Sequence, residues 1–251
     1  LTRAAVWRLL TPLSDLLFPH LCPICEAETE SEGLCGACWR EARFFEGPEL
    51  CDSCGVPAGD PVWPETRRLC LDCLKLPPPW ARGRAAMAYR GAGRSLALAL
   101  KRADRLEAAP LMARWMARAA GPLLEDCEAV VPASAHWRRT LRRRFDPAAE
   151  LARALARLGG KPYRPAWLKR LRATPSQGGL TARERRANLV DAFAVPERFR
   201  AEIEGRRLLI VDDVSTTGAT LGAAAQAMIA AGARVDVLAF ARVWDVEEDA
   251  E

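Results

Sequence analysis

Two groups of residues have side chains whose types and spacing can do chemistry. The first is Leu208–Leu221, LLIVDDVSTTGATL. Ionised Asp212 and Asp213 can only accept hydrogen bonds, which suits sugar hydroxyls or a hydrated Mg²⁺. Ser215, Thr216, Thr217 and Thr220 offer hydroxyl donors, and Gly218 lets the backbone come close to a ligand. Ala219 and the alanine-rich stretch after it read as a helix, whose first turn leaves N–H groups unpaired and carries partial positive charge. Phosphate on one side and a diol on the other describes a ribose 5-phosphate. The competing reading is a buried strand whose acids cap the next helix.

The second group is eight of the nine cysteines, which form four C-x-x-C pairs: Cys22 and Cys25, Cys35 and Cys38, Cys51 and Cys54, Cys70 and Cys73. Two thiolates on one tight knuckle can hold a single ion, and two knuckles complete a tetrahedral site, so four pairs imply two Zn²⁺ sites. Pairing first with second and third with fourth closes the shorter loops, and a crossed arrangement stays open. Disulfides fit poorly in a reducing compartment, and iron–sulfur cysteines follow other spacings. A site closed by four thiolates has no open coordination position, so these zincs are expected to be structural. Trp39, Phe44, Phe45 and Trp63 are packing candidates, and metal binding should supply much of the folding free energy. Cys127 stands apart and reads as a buried apolar residue.

The elements that must position these groups follow from pattern. The run Leu208–Val211 reads as a strand buried on both faces, Gly232 stops the helix after it, and Val235–Phe240 reads as the next strand. Strand, helix, strand implies a parallel sheet with a right-handed crossover. Upstream, Ala85–Tyr89 and Val130–Val131 read as strands, with helices over Arg94–Lys101 and Pro110–Ala119. Gly91 and Gly93 are expected to break the chain before the first of these. Asp146 as N-cap and Pro147 at the first position start another helix, which Gly159 and Gly160 end. LPPPW at 76–80 reads as a stiff connector. The expected division is 1–79, an N-terminal helix and Cys-rich zinc module; 80–245, an α/β domain; and 246–251, an acidic tail.

At 251 residues and half apolar, the chain can bury a sizeable core. Its net charge of +5 is mild, but the arginines cluster, which points to phosphate-bearing partners. Arg138, Arg139, Arg142, Arg143 and Arg144 follow the 130–131 strand together with His136 and Trp137. A second basic segment, 161–186, interleaves Tyr163 and Trp167 with Arg164, Lys169, Arg170 and Arg172, and TPSQGGLT at 174–181 has the composition of a mobile loop. Trp137 and Trp167 suit either base stacking or core packing. No apolar run approaches the ~20 residues needed to span a bilayer. The opening 6–18 reads as a short amphipathic helix and not as a signal peptide. A cytoplasmic protein without membrane insertion is expected.

The stretch 208–221 resembles the phosphoribosyl pyrophosphate (PRPP) loop of type I phosphoribosyltransferases: four apolar residues, two acids, then T-G-x-T. Nearly the whole chain resembles the ComF family of competence proteins. The resemblance is carried by LLFPHLCPIC at 16–25, the knuckles that follow, Tyr89-x-Gly91, VPASAHWRR at 131–139, T-x-S-Q at 174–177, and E-R-x-x-N at 184–188 with Ala192 and Phe193. It implies a zinc module joined to a phosphoribosyltransferase-like domain, in a protein that handles incoming single-stranded DNA during natural transformation. A competence helicase partner is implied in the same way.

On this resemblance, PRPP with Mg²⁺ would lie on Asp212, Asp213, Ser215, Thr216, Thr217, Gly218, Ala219 and Thr220. Its pyrophosphate would lie near Ser134, Ala135, His136, Arg138 and Arg139, under a flexible loop carrying Lys169, Arg170, Arg172 and Gln177. DNA-binding candidates are Trp137, Arg142, Arg143, Arg144, Tyr163 and Trp167. Family members read VPVPLH and RGFNQ where this chain reads VPASAH and RRFDPAAE, with Arg144 in place of a glycine. Hypoxanthine-type enzymes carry an aspartate just before the T-G of the loop, and Thr216 stands there here. No residue identifies itself as an acceptor-side catalyst. Two readings follow: a DNA-uptake protein that binds PRPP and single-stranded DNA, or an active phosphoribosyltransferase acting on an unidentified base or amine.

Overall fold

The computed structural model describes residues 19–58, 67–102, 105–134, 145–172 and 191–244. The expected 6–18 helix, Trp63, and the motifs at 174–181 and 184–188 lie outside them, as does the acidic tail. Among the described residues the cysteine-rich part has little regular structure, as expected where metal ligation replaces a core. β1 (His20–Leu21) and β2 (Glu28–Thr29) pair antiparallel, and two single-turn helices, α1 (Gly36–Arg40) and α2 (Leu71–Lys75), each begin just after a cysteine.

From residue 82 the order is β3 (Arg82–Ala88), three helices α3 (Gly91–Arg102), α4 (Ala109–Ala120) and α5 (Pro122–Asp126), then β4 (Ala129–Pro132) and α6 (Pro147–Leu158). The ribbon β5 (Lys169–Arg170) and β6 (Phe193–Ala194) follows, then α7 (Arg200–Ile203), β7 (Arg207–Ser215), α8 (Ala219–Ile229) and β8 (Arg234–Arg242). The sheet runs β3-β8-β7-β4 with every neighbouring pair parallel. A parallel sheet must be covered on both faces. Alternate residues of β7 accordingly serve different layers: Leu209 and Val211 pack with Leu96, Met112, Met116, Leu151 and Phe240 under α3, α4 and α6. Leu208 and Ile210 pack with Leu221, Ala224 and Met228 of α8.

Several local expectations hold, and several shift. Asp146 Oδ1 accepts from Ala149 N–H at 3.2 Å and caps α6, with Pro147 next. Cys127 is buried and donates to Leu124 O, and burial pushes its thiol up to about 11. The strand of Asp212 and Asp213 does not stop before them. β7 continues to Ser215 because β8 runs alongside as far as Arg242 and keeps the ladder paired. The expected break before the helix falls at Gly91, whose φ is +46°, and not at Gly93. α3 starts at Gly91, and a methyl group on Gly93 would lie 2.2 Å from Ala88 O, so the glycine allows close helix–strand packing.

Both edges of the sheet are covered. Residues 43–45 lie antiparallel along β3, with Phe45 N–H donating to Ala86 O and Ala88 N–H to Arg43 O. At the far edge, Tyr163 bridges to Val130 of β4. Covering an edge removes the unpaired backbone groups that would otherwise recruit another chain.

Candidate functional site

The cysteines gather into two clusters, Cys22, Cys25, Cys35, Cys38 and Cys51, Cys54, Cys70, Cys73, with the sulfurs of each within 4.8 Å of one another. Neighbouring knuckles therefore pair, and the crossed arrangement is excluded. Closest approaches are 3.5 Å between Cys25 and Cys35 and 3.6 Å between Cys54 and Cys70. A tetrahedral ion with Zn–S bonds of about 2.3 Å separates its sulfurs by about 3.8 Å, so the donor set fits zinc. Bound there, zinc would hold the knuckles in place of a core.

The acid pair stands near the C-terminal end of β7, the edge where open α/β sheets place ligands. Asp212 and Asp213 are 7% and 9% exposed. Asp213 N–H donates to Asp212 Oδ1 at 2.9 Å, and Val214 N–H donates to Asp213 Oδ1 at 2.8 Å. Burial first, and then the Asp213 carboxylate beside it, hold Asp212 well above the usual carboxylate range. Asp213 has a counter-ion, Lys101 Nζ, 3.2 Å from its Oδ2. Lys101 lies in the last turn of α3, and only the packing of that helix against the sheet brings it here.

After Ser215 the chain turns through Gly218, whose φ of +74° places it in the left-handed region. Gly222 N–H donates to Gly218 O at 2.7 Å, the first bond of α8, so the amides of Ala219, Thr220 and Leu221 precede any intrahelical acceptor. Thr217 Oγ1 is buried and has no hydrogen-bond partner among the described residues. Such a hydroxyl beside first-turn helix amides suits a phosphate oxygen. Ser215 Oγ is already engaged, accepting from Arg242 Nη1 at 2.9 Å.

The other sequence-predicted residues divide. Ser134 follows β4, one residue beyond Ala133, whose N–H donates to Val211 O; this puts it at the same sheet edge as the acids. Ala135, His136, Trp137, Arg138, Arg139, Arg142, Arg143, Arg144 and Gln177 lie outside the described residues. Lys169 and Arg170 sit in β5, paired with Ala194 and Phe193, so they form the stem of the expected loop and not its moving part. The Arg170 guanidinium lies over the Phe193 ring, while Arg172 is exposed. Trp167 is 5% exposed in the α8-side core, which leaves no ring face for a base to stack on. Tyr163 is half-buried, with Arg153 over its ring. Sequence reading missed Lys101 and Arg242, neither of which belongs to a motif.

Residues 13–74 match the double zinc ribbon domain and residues 147–251 the phosphoribosyl transferase domain. The chain is 34% identical over 240 residues to the DNA utilization protein YhgH of Escherichia coli (strain K12), covering 91% of this chain and 97% of the relative. The protein of that name from Salmonella typhi matches to the same extent. Competence protein F of Haemophilus influenzae is 29% identical over 194 residues, covering 75% of this chain and 81% of its own. With the two four-cysteine clusters and the parallel sheet carrying an acid pair and a glycine turn, this likeness along nearly the full length means that the chain belongs to the ComF family.

Proposed function

We propose that the protein is a DNA-uptake factor that binds PRPP, or a related ribose phosphate, together with single-stranded DNA. The observation that carries the ligand half is the ordered sequence at one sheet edge: two buried acids, the Thr217 hydroxyl with no partner among the described residues, the left-handed Gly218 and the first-turn amides of α8. Phosphate suits the amides and hydroxyls, and the ribose diol suits the acids, with Mg²⁺ neutralising them when bound. The DNA half is supported by the names of the relatives, a DNA utilization protein and a competence protein. In this reading the arginine segment 138–144 grips the phosphate backbone, since Trp167 is buried. In the same reading Tyr163 adds a DNA contact, the loop carrying Lys169, Arg170 and Arg172 closes over the ligand, Ser134 to Arg139 take the pyrophosphate, and a competence helicase receives the strand in the cytoplasm.

A second reading, an active phosphoribosyltransferase, is favoured by retention of both acids. They would stabilise the positive charge that builds on the ribose as pyrophosphate leaves. It fails if no nucleobase or amine releases pyrophosphate from PRPP.

The deciding experiment is binding of labelled single-stranded DNA to the zinc-loaded protein across a salt series, with and without Mg²⁺–PRPP. Neutralising about four phosphates should give a log–log salt slope near −3. A flat salt response would reject the DNA reading. PRPP-dependent affinity would show that pocket and DNA surface are coupled.

A further inference from the structure

The third knuckle turns three successive carbonyls towards the start of β3. Cys51 O and Asp52 O accept from Arg84 Nη1 at 3.2 and 3.3 Å, Asp52 O also accepts from Gly83 N–H at 3.0 Å, and Ser53 O accepts from the Trp80 indole Nε1–H at 2.6 Å. The approach leaves no room: a methyl group on Gly83 would lie 2.3 Å from Ser53 O and 3.0 Å from Trp80 Nε1. One on Gly55 would lie 2.6 Å from Arg84 Cα.

The far side of the same indole rests on the phosphate-type turn. A methyl group on Gly218 would lie 3.2 Å from Trp80 Cη2, and one on Gly222 would lie 3.9 Å from Cζ3. The ring is 8% exposed and packs with Leu221 and Val237. A small cavity beside it is lined by Cys54, Trp80, Arg84, Ser215, Leu221 and Arg242, so a cysteine of the second cluster and a hydroxyl of the turn face one space.

We propose that Trp80 is a positioning residue that couples the second cysteine cluster to the phosphate-type turn, so that the metal state of that cluster sets the order of Ser215–Gly222 and its affinity for a phosphate ester. The proposal rests on reading that turn as a phosphate site. The knuckle keeps its conformation because two of its thiolates share one ion. When the ion leaves, Ser53 O loses its fixed place and a buried indole N–H loses its partner, which is unfavourable until the ring moves. Gly218, held in the left-handed region and without a side chain of its own, has the ring as its packing partner and loosens with it.

Hydrogen–deuterium exchange of the full chain tests this, in zinc-loaded and chelator-treated protein, for the wild type, Trp80→Phe and Trp80→Ala. Phe keeps a ring on Gly218 but cannot donate to Ser53 O, whereas Ala loses both contacts. In the wild type, chelation should speed exchange in the 213–222 peptide about tenfold while the 147–158 peptide of α6 stays protected. In Trp80→Phe the turn should no longer respond to chelation, and in Trp80→Ala it should exchange fast in both states. The same zinc response in either variant as in the wild type overturns the proposal. So does an unresponsive wild-type turn, or a wild-type α6 that loses protection on chelation as the turn does. A Mg²⁺–PRPP titration of the zinc-loaded wild type separately decides the site reading. No binding combined with a zinc-dependent turn rejects the phosphate ligand and not the coupling, and binding with a zinc-independent turn does the reverse.

Discussion

Asp212 and Asp236 are buried acids on neighbouring strands, and their surroundings give them opposite consequences. Asp236, fully buried, meets Arg82 Nη2 at 2.7 Å and Arg207 Nη1 at 3.3 Å, and Arg82 also reaches Asp126 at 2.8 Å. Asp236→Asn leaves two guanidiniums short of a counter-charge and should cost about 3 kcal/mol or more in denaturant unfolding. Among the described residues Asp212 has no cation of its own beyond what Lys101 shares through Asp213, and its carboxyl is raised by burial and by Asp213. A group with a raised folded-state pKa binds its proton more tightly in the folded chain. Stability therefore falls as pH rises from the ordinary carboxylate range through the raised value. Asp212→Asn should remove that fall and stabilise the protein by about 1 kcal/mol at neutral pH, while PRPP binding is lost. Parallel pH–stability curves for the mutant and wild type would contradict the assignment of Asp212 as a ligand-facing acid with a raised pKa.

At the scale of elements, the pattern of residues was enough to locate the strand, turn and helix of the acid pair, the cap of α6 and the knuckles, because each depends on neighbours in sequence. What was not legible depends on neighbours in space. β7 extends past Asp213 only because β8 accompanies it, Trp167 turns inward because α8 and the β5–β6 ribbon enclose it, and Lys101 becomes a partner of Asp213 only once α3 packs on the sheet. Gly218 combines both kinds of constraint. Its φ of +74° disfavours any side chain, and a methyl group there would lie a tight 3.2 Å from Trp80 Cη2. The left-handed conformation alone costs a non-glycine residue about 1–2 kcal/mol. Gly218→Ala should therefore lower the unfolding midpoint by several degrees and PRPP affinity by at least about tenfold. Unchanged affinity on titration would mean that the turn does not touch the ligand.

For the molecule as a whole, the composition changes at Pro79, but the packing does not stop there. Surface ion pairs join the cysteine-rich part to α4, Arg114 to Glu32 at 2.9 Å and Arg118 to Glu46 at 3.1 Å, and pairs this exposed contribute about 0–1 kcal/mol each. The larger share comes from burial and backbone pairing. Phe45, Cys51, Cys54, Val56 and Cys73 share one apolar cluster with Ala85, Ala88 and Ala239 of the sheet, and Phe44 meets Trp115 edge-on at 5.4 Å. Residues 43–45 also occupy the outer edge of β3. A chain beginning at Trp80 would expose that edge, uncover Ala85 and Ala88, and leave the Trp80 indole without Ser53 O. Open edges and apolar patches promote association. The shortened chain should therefore unfold about 10 °C below the full one and elute as mixed oligomers in size-exclusion chromatography. The full chain should melt in a single transition whose midpoint falls on chelation. Equal midpoints and a monomeric fragment would instead make 80–245 an independent domain with the zinc module as an appendage, and the route from the second cysteine cluster to the phosphate-type turn would lose its structural basis.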